Sequence, residues 1–191
     1  MVKNPTVYPN ARRRVRTSKG WDNKLTELLG EHLTASYLTR HGLVVSLTPK
    51  NTPKVDLLAT DESLRTLPIQ QKTVRTGTAQ MDARAFLNIE FIRDKNGEVV
   101  RQVVHGKLKL RDPTLPFVFV FLRDGQPDES YVCYSRDVQN LVSKIYGGWL
   151  RRVEGVRPKN PASSHCGLTR KDLAKFKDRW DVVLNHPVFR G

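Results

Sequence analysis

Cysteine, acidic side chains and long apolar runs are all scarce in this chain. Its two cysteines, Cys133 and Cys166, form no CxxC pair and have no zinc-ligand spacing,. So low a cysteine content is typical of a reducing compartment, which favours a cytoplasmic protein. No segment approaches the roughly 18 apolar residues that a membrane-spanning helix needs, so we expect no membrane span. The N-terminus is rich in arginine but has no apolar core, so we expect no secretory signal.

The charge balance is strongly basic. The chain has 33 Lys and Arg against 19 Asp and Glu among its 191 residues, so its formal net charge is +14. A charge of this size indicates an anionic partner, and nucleic acid is the first candidate; ribosomal-type RNA or an anionic membrane surface would also fit. Hydrophobic residues make up 38% of the chain, which is enough for the core of one domain.

Residues 1–20 are predicted to form a basic, flexible arm ahead of a single folded domain over residues 21–191. Few apolar residues in this stretch could anchor it to a core. Its basic side chains would contact nucleic-acid phosphates, and the alternative is a solvated tail without a partner. These side chains are Arg12, Arg13, Arg14, Arg16 and Lys19.

A helical pattern runs from Asp22 to His41. Asp22 can cap its first turn, and Gly42 can follow its last residue. Apolar residues recur at steps of three and four, which predicts a helix with one apolar face. They are Leu25, Leu28, Leu29, Leu33, Tyr37 and Leu38.

Short apolar and β-branched runs predict a series of strands after this helix. The run 117–122 is apolar throughout, which is typical of a central strand buried on both faces. The other strands are predicted at 43–47, 55–59, 67–74, 86–92 and 130–134. The order of helix and strands indicates a mixed α/β domain with one main sheet.

Two more helices are predicted towards the C-terminus. Ser135 caps the first, and Gly147-Gly148 is expected to end it. The second begins at Thr169, after a long loop over 151–167 that is rich in Pro, Ser and Lys.

An acid, an amide and a lysine lie on two strands that the sequence predicts to be neighbours. Asp56 lies in the first, and Gln70 and Lys72 lie on the second. Residues two apart on a strand share a face, so Gln70 and Lys72 should project together, with Gln71 on the other side. Carboxylate and carbonyl oxygens suit Mg²⁺, and a nearby ammonium can stabilise charge that develops on a phosphate. The pattern is typical of metal-dependent phosphodiester hydrolysis.

Each of these residues also has a purely structural interpretation. Asp56 would hydrogen-bond the loop before its strand, Lys72 would be an edge-strand charge, and Gln70 a half-exposed polar residue. Glu31 would be a surface residue of the helix. The five histidines are scattered without ligand spacing, so we expect them to be structural or exposed.

Three segments resemble the PD-(D/E)xK nuclease superfamily. They are Leu29–Leu33, Lys54–Leu58 and Ile69–Thr73, and they occur in the superfamily's order. The resemblance implies a restriction-endonuclease-like fold, an α/β arrangement with a central mixed β-sheet flanked by helices. In this chain such a domain would cover residues 21–191 and carry a C-terminal helical extension.

The resemblance also implies a role for each site residue. Asp56 is similar to the metal-binding aspartate and Lys72 to the catalytic lysine. Gln70 stands where most members have Glu or Asp, as in some modification-dependent restriction enzymes. Glu31 is similar to a helix glutamate found in branches that include archaeal Holliday-junction resolvases. The implied catalytic set is therefore Lys72, Asp56, Gln70 and Glu31.

The implied cofactor is Mg²⁺ or Mn²⁺, with Asp56, Gln70 and Glu31 as ligands. The backbone carbonyl of Gln71 can supply a further oxygen. An amide in place of a carboxylate removes one negative charge near the metal, so Glu31 becomes more important as the second anion.

The sequence therefore predicts a metal-dependent endonuclease acting on DNA, in the cytoplasm or associated with the nucleoid. One such site cuts one strand, so a homodimer would cut both. Two alternatives stay open: an inactive nucleic-acid-binding protein on the same fold, and a basic RNA-binding protein in which the pattern is coincidental. Beyond the arm, phosphate contacts are predicted for Arg75, Arg84, Arg151 and Arg152,.

Overall fold

The computed structural model describes residues 18–49 and 52–190. The predicted arm therefore falls largely outside the described residues, and so do four of its five basic side chains, Arg12, Arg13, Arg14 and Arg16.

The first helix, α1, covers Lys19–Arg40. Its N-cap is Ser18, whose side-chain oxygen accepts a hydrogen bond from the backbone N–H of Trp21 at 3.4 Å,. The helix thus begins three residues before the predicted Asp22. Asp22 lies in the first turn instead, where its negative charge interacts favourably with the positive end of the helix dipole,.

A five-stranded sheet forms the centre of the described structure. The described strands of all sheets are β1 Val44–Leu47, β2 Leu57–Thr60, β3 Thr66–Val74, β4 Ala79–Asp82, β5 Leu87–Arg93, β6 Val99–Lys107, β7 Pro116–Phe121, β8 Glu129–Tyr134 and β9 His165–Leu168. The five-stranded sheet has the spatial order β1-β2-β3-β7-β8, in which β3 and β7 are parallel and all other neighbours are antiparallel. A mixed α/β fold with a central mixed sheet flanked by helices is thereby confirmed.

Strand β7 separates two hydrophobic cores. All six of its residues are buried. Phe117 and Phe119 belong to one core, and Val118 and Val120 belong to the other, as expected from the alternation of side chains along a strand,. The prediction that this strand is buried on both faces is confirmed, although β3 is the middle strand of the sheet.

The C-terminal helices differ in part from the prediction. They are α2 Ser135–Val142, α3 Gly148–Arg152, α4 Arg170–Leu173 and α5 Asp181–Leu184. Gly147-Gly148 does not end the helix that begins at Ser135; a π-helical turn over Ser143–Gly147 carries it into α3. Both glycines have ordinary helical φ values of −63° and −65°, and burial of Tyr146 and Leu150 stabilises the continuation,.

Two smaller sheets pack beside the main one. Strands β5 and β6 form a hairpin, and β4 pairs with β9. Strand β9 begins inside the predicted 151–167 loop. The sequence did not indicate it because its partner, β4, lies about eighty residues earlier along the chain,. None of the described helices has the length and apolar content that crossing a membrane would require.

Helix α1 turns its small and polar side towards the sheet. Its buried residues are Gly30, Thr34 and Leu38. A Cβ atom on Gly30 would lie 2.0 Å from Thr73 Oγ1, so only glycine allows so close an approach to β3,. The apolar face predicted for this helix is instead largely exposed, because four of its leucines lie on the outer side, namely Leu25, Leu28, Leu29 and Leu33.

Candidate active site

Asp56 is positioned by the pairing of β2 with β3. Its backbone N–H donates to the carbonyl of Ile69 at 2.9 Å, which extends the antiparallel ladder by one residue beyond Leu57. The carboxylate therefore faces the start of the Gln70-Gln71-Lys72 segment. Its Oδ2 accepts a hydrogen bond from the backbone N–H of Gln71 at 2.7 Å. The predicted neighbouring strands do lie side by side.

Gln70 is the second partner of this carboxylate. Its side-chain amide nitrogen donates to Asp56 Oδ2. In this arrangement Gln70 acts as a hydrogen-bond donor to the acid, whereas the predicted ligand role requires its carbonyl oxygen. Rotation of the terminal amide exchanges the nitrogen and the oxygen, so a cation at Asp56 would select the opposite orientation.

A cavity of about 250 Å³ lies between α1 and the end of β3. Asp56, Lys72 and Glu31 all line it, and so does Gln71. The structure thus places three of the four predicted catalytic side chains around one space, while Gln70 reaches it only through its hydrogen bond to Asp56. Their chemical roles remain predictions.

Gln71 differs from the prediction in one respect. Its side chain was expected to lie apart from those of Gln70 and Lys72, but it lines the same cavity and is only 5% exposed. Its amide nitrogen donates to Thr73 Oγ1 at 3.2 Å. Its side-chain oxygen, Oε1, is buried and has no hydrogen-bond partner among the described residues. Leaving a buried acceptor unpaired costs about 1–3 kcal/mol, so this oxygen would gain from a ligand in the cavity.

Glu27 is a lining residue that the sequence reasoning missed. It precedes Glu31 by four residues on α1, and this spacing places both carboxylates on one side of the helix,. That i,i+4 relation is the signal that would have identified it.

The oxygen donors around the cavity are of the type that a hard divalent cation prefers. The described acidic side chains alone, however, do not form a metal site. Among the residues that the structure describes, no three His, Cys, Asp or Glu side chains lie together as a metal site. Any cation would therefore need amide oxygens, above all Gln71 Oε1, beside Asp56 and Glu31. Oxygen donors of this kind, completed by several waters, are what Mg²⁺ accepts.

The predicted phosphate-binding residues that the structure describes are dispersed. Lys19 is exposed in the first turn of α1, and Arg151 and Arg152 are exposed at the end of α3. Arg75 follows β3 directly and bonds Thr26 Oγ1 at 3.4 Å and Asp124 at 3.2 Å.

Arg84 is already engaged within the fold. It forms a 2.9 Å ion pair with Asp82. That hydrogen-bonded pair raises the pKa of Arg84. Burial alone would raise the pKa of Asp82, but hydrogen bonds from Arg84 and Ser164 lower it overall. Part of the charge of Arg84 is therefore offset by its own neighbour.

A second group of charges surrounds Glu129, the first residue of β8. Its carboxylate meets Lys177 at 3.0 Å, Arg123 at 3.2 Å and Arg170 at 3.4 Å. Burial alone would raise the pKa of Glu129, but the hydrogen bonds from Lys177 and Tyr131 and the nearby cations lower it overall. Three cations around one anion leave an excess of positive charge, which the sequence analysis did not identify. We call this group the Glu129 cluster.

The Glu129 cluster lies at the same end of the sheet as Arg75. Strands β3 and β7 run parallel and end side by side, where Val74 pairs with Phe121. Arg75 follows the first and Arg123 follows the second after one residue. This end of the sheet therefore carries Arg75, which pairs with Asp124, beside the three cations of the Glu129 cluster, and it lies beyond the part of β3 that lines the cavity.

Comparison with known proteins identifies no relative of this chain. A scan against protein-family models finds no match to the chain, and searches of the curated proteins and of the solved structures find none either.

Proposed function

We propose that this protein is a metal-dependent endonuclease that hydrolyses DNA phosphodiester bonds at the Asp56 cavity. The observation that carries the proposal is the convergence of Asp56, Lys72 and Glu31 on one cavity beside the unpartnered oxygen of Gln71. The resemblance of the three short segments to PD-(D/E)xK nucleases supports the same assignment. The cofactor proposed for this site is Mg²⁺ or Mn²⁺.

The chain's own residues would divide the chemistry between binding and charge stabilisation. A divalent cation supplies Lewis-acid polarisation of the phosphate and a lower pKa for bound water. Asp56, Glu31 and the side-chain oxygen of Gln71 would hold that cation. Lys72 would place a positive charge next to the phosphate, where negative charge develops during hydrolysis. Gln70 would orient the Asp56 carboxylate.

DNA is the partner that the charge distribution favours. The net charge of +14 and the three cations of the Glu129 cluster attract a polyanion,. A pure nucleic-acid binder gains nothing from carboxylates in a cavity, because they repel phosphate. The acids at this site therefore favour catalysis with a cation over binding alone.

A non-catalytic DNA-binding protein is the second candidate. The hydrogen bond from the Gln70 amide to Asp56 favours it, since this bond uses an acid oxygen that a cation would need. In the nuclease a cation would displace the Gln70 amide from Asp56, whereas in the non-catalytic protein this hydrogen bond would remain.

The deciding experiment is a cleavage assay on linear, nicked and four-way-junction DNA with Mg²⁺ and with Mn²⁺. We expect wild-type cleavage that both Lys72→Ala and Asp56→Asn abolish, while DNA affinity measured in EDTA stays within about twofold, since most phosphate contacts lie elsewhere. Lys95→Ala, at an exposed hairpin turn, is the matched control and should retain activity.

Gln70→Glu extends the same assay. It adds an anionic ligand, so it should lower the metal concentration needed for cleavage. If neither the wild type nor Gln70→Glu cuts any of these substrates, the protein is a DNA binder without catalysis. Cleavage of both strands of a duplex would need two copies of the site, which the proposed homodimer supplies.

A further inference from the structure

A second cavity, of about 420 Å³, lies at the C-terminal end of α1. It is bounded by the end of this helix, by the turn between β2 and β3, and by the segment that contains α5 and the residues after it. Its volume is within the range of about 300–1,000 Å³ that is usual for small-molecule sites. We call it the His41 pocket. Its lining residues include His41, Leu43, Glu62, Arg65, Leu184 and Phe189.

His41 is the outermost of three stacked rings. Tyr37 stacks on Trp180 with ring centroids 4.1 Å apart, and His41 stacks on Tyr37 at 4.5 Å. Both pairs are close to parallel, so Trp180 and His41 must occupy opposite faces of Tyr37,. The imidazole Nδ1 donates to the carbonyl of Tyr37 at 2.9 Å, which fixes the ring,. Since His41 is exposed and lines the pocket, its outer face can accept one more planar group.

The turn between β2 and β3 forms a fixed wall of the pocket. The Asp61 carboxylate accepts the backbone N–H of Arg65 at 2.9 Å and its Nε at 2.8 Å. The intervening Leu64 has a φ of 62°, a left-handed conformation that leucine rarely adopts,. Because Asp61 neutralises Arg65, the uncompensated charge of this wall is that of Glu62. Glu62 has no ion-pair or hydrogen-bond partner among the described residues.

These features define the chemistry of a ligand. The Glu62 carboxylate repels phosphate and other anions, and it can only accept hydrogen bonds. A ligand of the pocket must therefore be planar, to stack on His41, and must present N–H groups. Bases of single strands stack on aromatic and histidine side chains, and carboxylates accept hydrogen bonds from base amino groups. We propose that the His41 pocket binds an unpaired base of a DNA strand, with guanine preferred.

The preference for guanine follows from the hydrogen-bonding edge of each base. Guanine presents two adjacent N–H groups on this edge, which match the two oxygens of a carboxylate. Thymine presents one N–H between two carbonyl oxygens, which the carboxylate of Glu62 repels. In a duplex the same edge is paired with the opposite strand, so only an unpaired base can enter the pocket.

The His41 pocket and the Asp56 cavity lie at a distance that one DNA strand can span. Glu31 of the cavity precedes His41 by ten residues of α1, which is about 15 Å at 1.5 Å per residue,. Asp56 and Asp61 lie at the two ends of β2, about 16 Å apart at roughly 3.3 Å per residue,. The inference rests on the proposed function for its DNA partner, but it concerns binding and does not require cleavage.

The first test measures the affinity of the full chain in EDTA for three DNAs. They are a blunt duplex, the same duplex with a short single-stranded tail of thymines, and one whose tail contains a single guanine. The wild type should bind the guanine tail most tightly. His41→Ala should weaken binding of that DNA by at least about fivefold, the lower end of what base stacking contributes, and should leave the blunt duplex unchanged.

Two further variants control for the substitution of His41. His41→Phe keeps a ring for stacking but loses the hydrogen bond to Tyr37, so it should restore most of the affinity for the guanine tail. His32→Ala removes an exposed histidine of the same helix that does not line the pocket, and it should bind all three DNAs as the wild type does. Circular dichroism confirms that the variants fold.

The second test separates hydrogen bonding by Glu62 from its charge. Loss of a negative charge alone strengthens the binding of every DNA by a similar factor. Loss of the paired acceptor oxygens instead removes the preference among bases. Glu62→Gln should therefore bring the ratio of affinities for the guanine and thymine tails close to one. Glu98→Gln, at an exposed position before β6, is the matched control and should leave that ratio unchanged.

Equal affinity of the wild type for the guanine and thymine tails overturns the proposal. So does a guanine preference that either His41→Ala or Glu62→Gln leaves intact. A protein that cleaves DNA but shows no such preference keeps the proposed function and loses the pocket, whereas a preference without cleavage does the reverse. A wild type that binds none of the three DNAs overturns both.

Discussion

Two carboxylates near ends of the same sheet, Asp56 and Glu129, have opposite surroundings. Glu129 accepts three ion pairs, from Arg123, Arg170 and Lys177. Asp56 accepts hydrogen bonds from two neutral amides, and no cation pairs with it in the described part of the chain. The negative charge of Glu129 is therefore neutralised within the fold, whereas that of Asp56 remains available to a cation. The comparison shows that the fold surrounds one carboxylate with cations and gives the other only neutral hydrogen-bond donors.

The largest expected difference between substitutions of Asp56 and of Glu129 is in the rate of DNA cleavage. Asp56→Asn keeps both amide hydrogen-bond partners within reach but removes the charge, so we expect at least about a hundredfold loss of DNA cleavage, as when a group that stabilises transition-state charge is lost. Glu129→Gln should retain cleavage within a few fold. It should instead lower the free energy of unfolding by about 2 kcal/mol, because charged hydrogen bonds are lost.

Rates on linear DNA and urea denaturation of both variants provide the measurement. The comparison fails if Glu129→Gln is the variant that loses activity, or if Asp56→Asn loses stability and activity in proportion.

The next effect concerns the close contact between α1 and β3, which shapes the cavity. An added Cβ at Gly30 would lie 2.0 Å from Thr73 Oγ1 and 2.6 Å from Gln71 Nε2. We expect Gly30→Ala to lower the free energy of unfolding by about 1–3 kcal/mol, since the helix must move outward. Urea denaturation measures it.

Gly20→Ala is the control for this substitution. A Cβ at Gly20 meets nothing within 4 Å, and Ala favours the helix by up to about 1 kcal/mol,. If Gly30→Ala were as stable as wild type, α1 would have to lie farther from β3 than the structure places it.

A smaller effect is expected on acid stability. The pKa of Glu129 is lowered from its ordinary value of 4.5, so its ionised form stabilises the folded state above that pH. This contribution is lost as the pH falls through the lowered pKa of the folded state. As the pH falls from 5 through the ordinary carboxyl pKa of about 4, the wild type should therefore lose more of its free energy of unfolding than the Glu129→Gln variant does. Thermal unfolding from pH 7 downwards tests the difference, and parallel curves for the two proteins would contradict it.

The smallest expected effect is on the salt dependence of DNA binding. Arg170 belongs to a cluster with more cations than anions, so we expect it to contact phosphate, and Arg170→Ala should reduce the slope of log affinity against log salt by about one. Arg65, in contrast, forms a one-to-one pair with Asp61 at 2.7 Å. Arg65→Ala should leave the slope unchanged. Equal slopes for the two variants would show that excess charge in the Glu129 cluster is not used for DNA.

Much of the fold follows from patterns that are local in the sequence. A continuous apolar run predicted β7, and a cap residue predicted the start of the helix at Thr169. The prediction that Ser135 caps α2 is wrong, because Tyr134 is the N-cap and the Ser135 hydroxyl donates to the carbonyl of Asp112 instead. The Thr169 side chain does accept the N–H of Asp172, as a cap should,. Such features depend on a few neighbouring residues, which is why they could be predicted without any knowledge of the tertiary structure.

The candidate site was predictable in part for the same reason. Asp56 and Lys72 share a cavity because two strands joined by a short turn must pair in a register that the turn allows,. The contribution of Glu27 and the cavity position of the Gln71 side chain depend on how α1 crosses β3. The prediction that this site cleaves DNA stays a prediction, and the assays above test it.

The sequence by itself determined the basic charge, the identity and order of most strands, and the spacing that brings Asp56 to Lys72. Only the tertiary structure decided which side of α1 faces inward and which cations surround Glu129. The physical reason is that backbone conformation is set by neighbouring residues, whereas contacts between distant segments depend on shape. Gly30 can approach Thr73 more closely than any leucine could, and so the leucines of α1 were left on the outside of the fold.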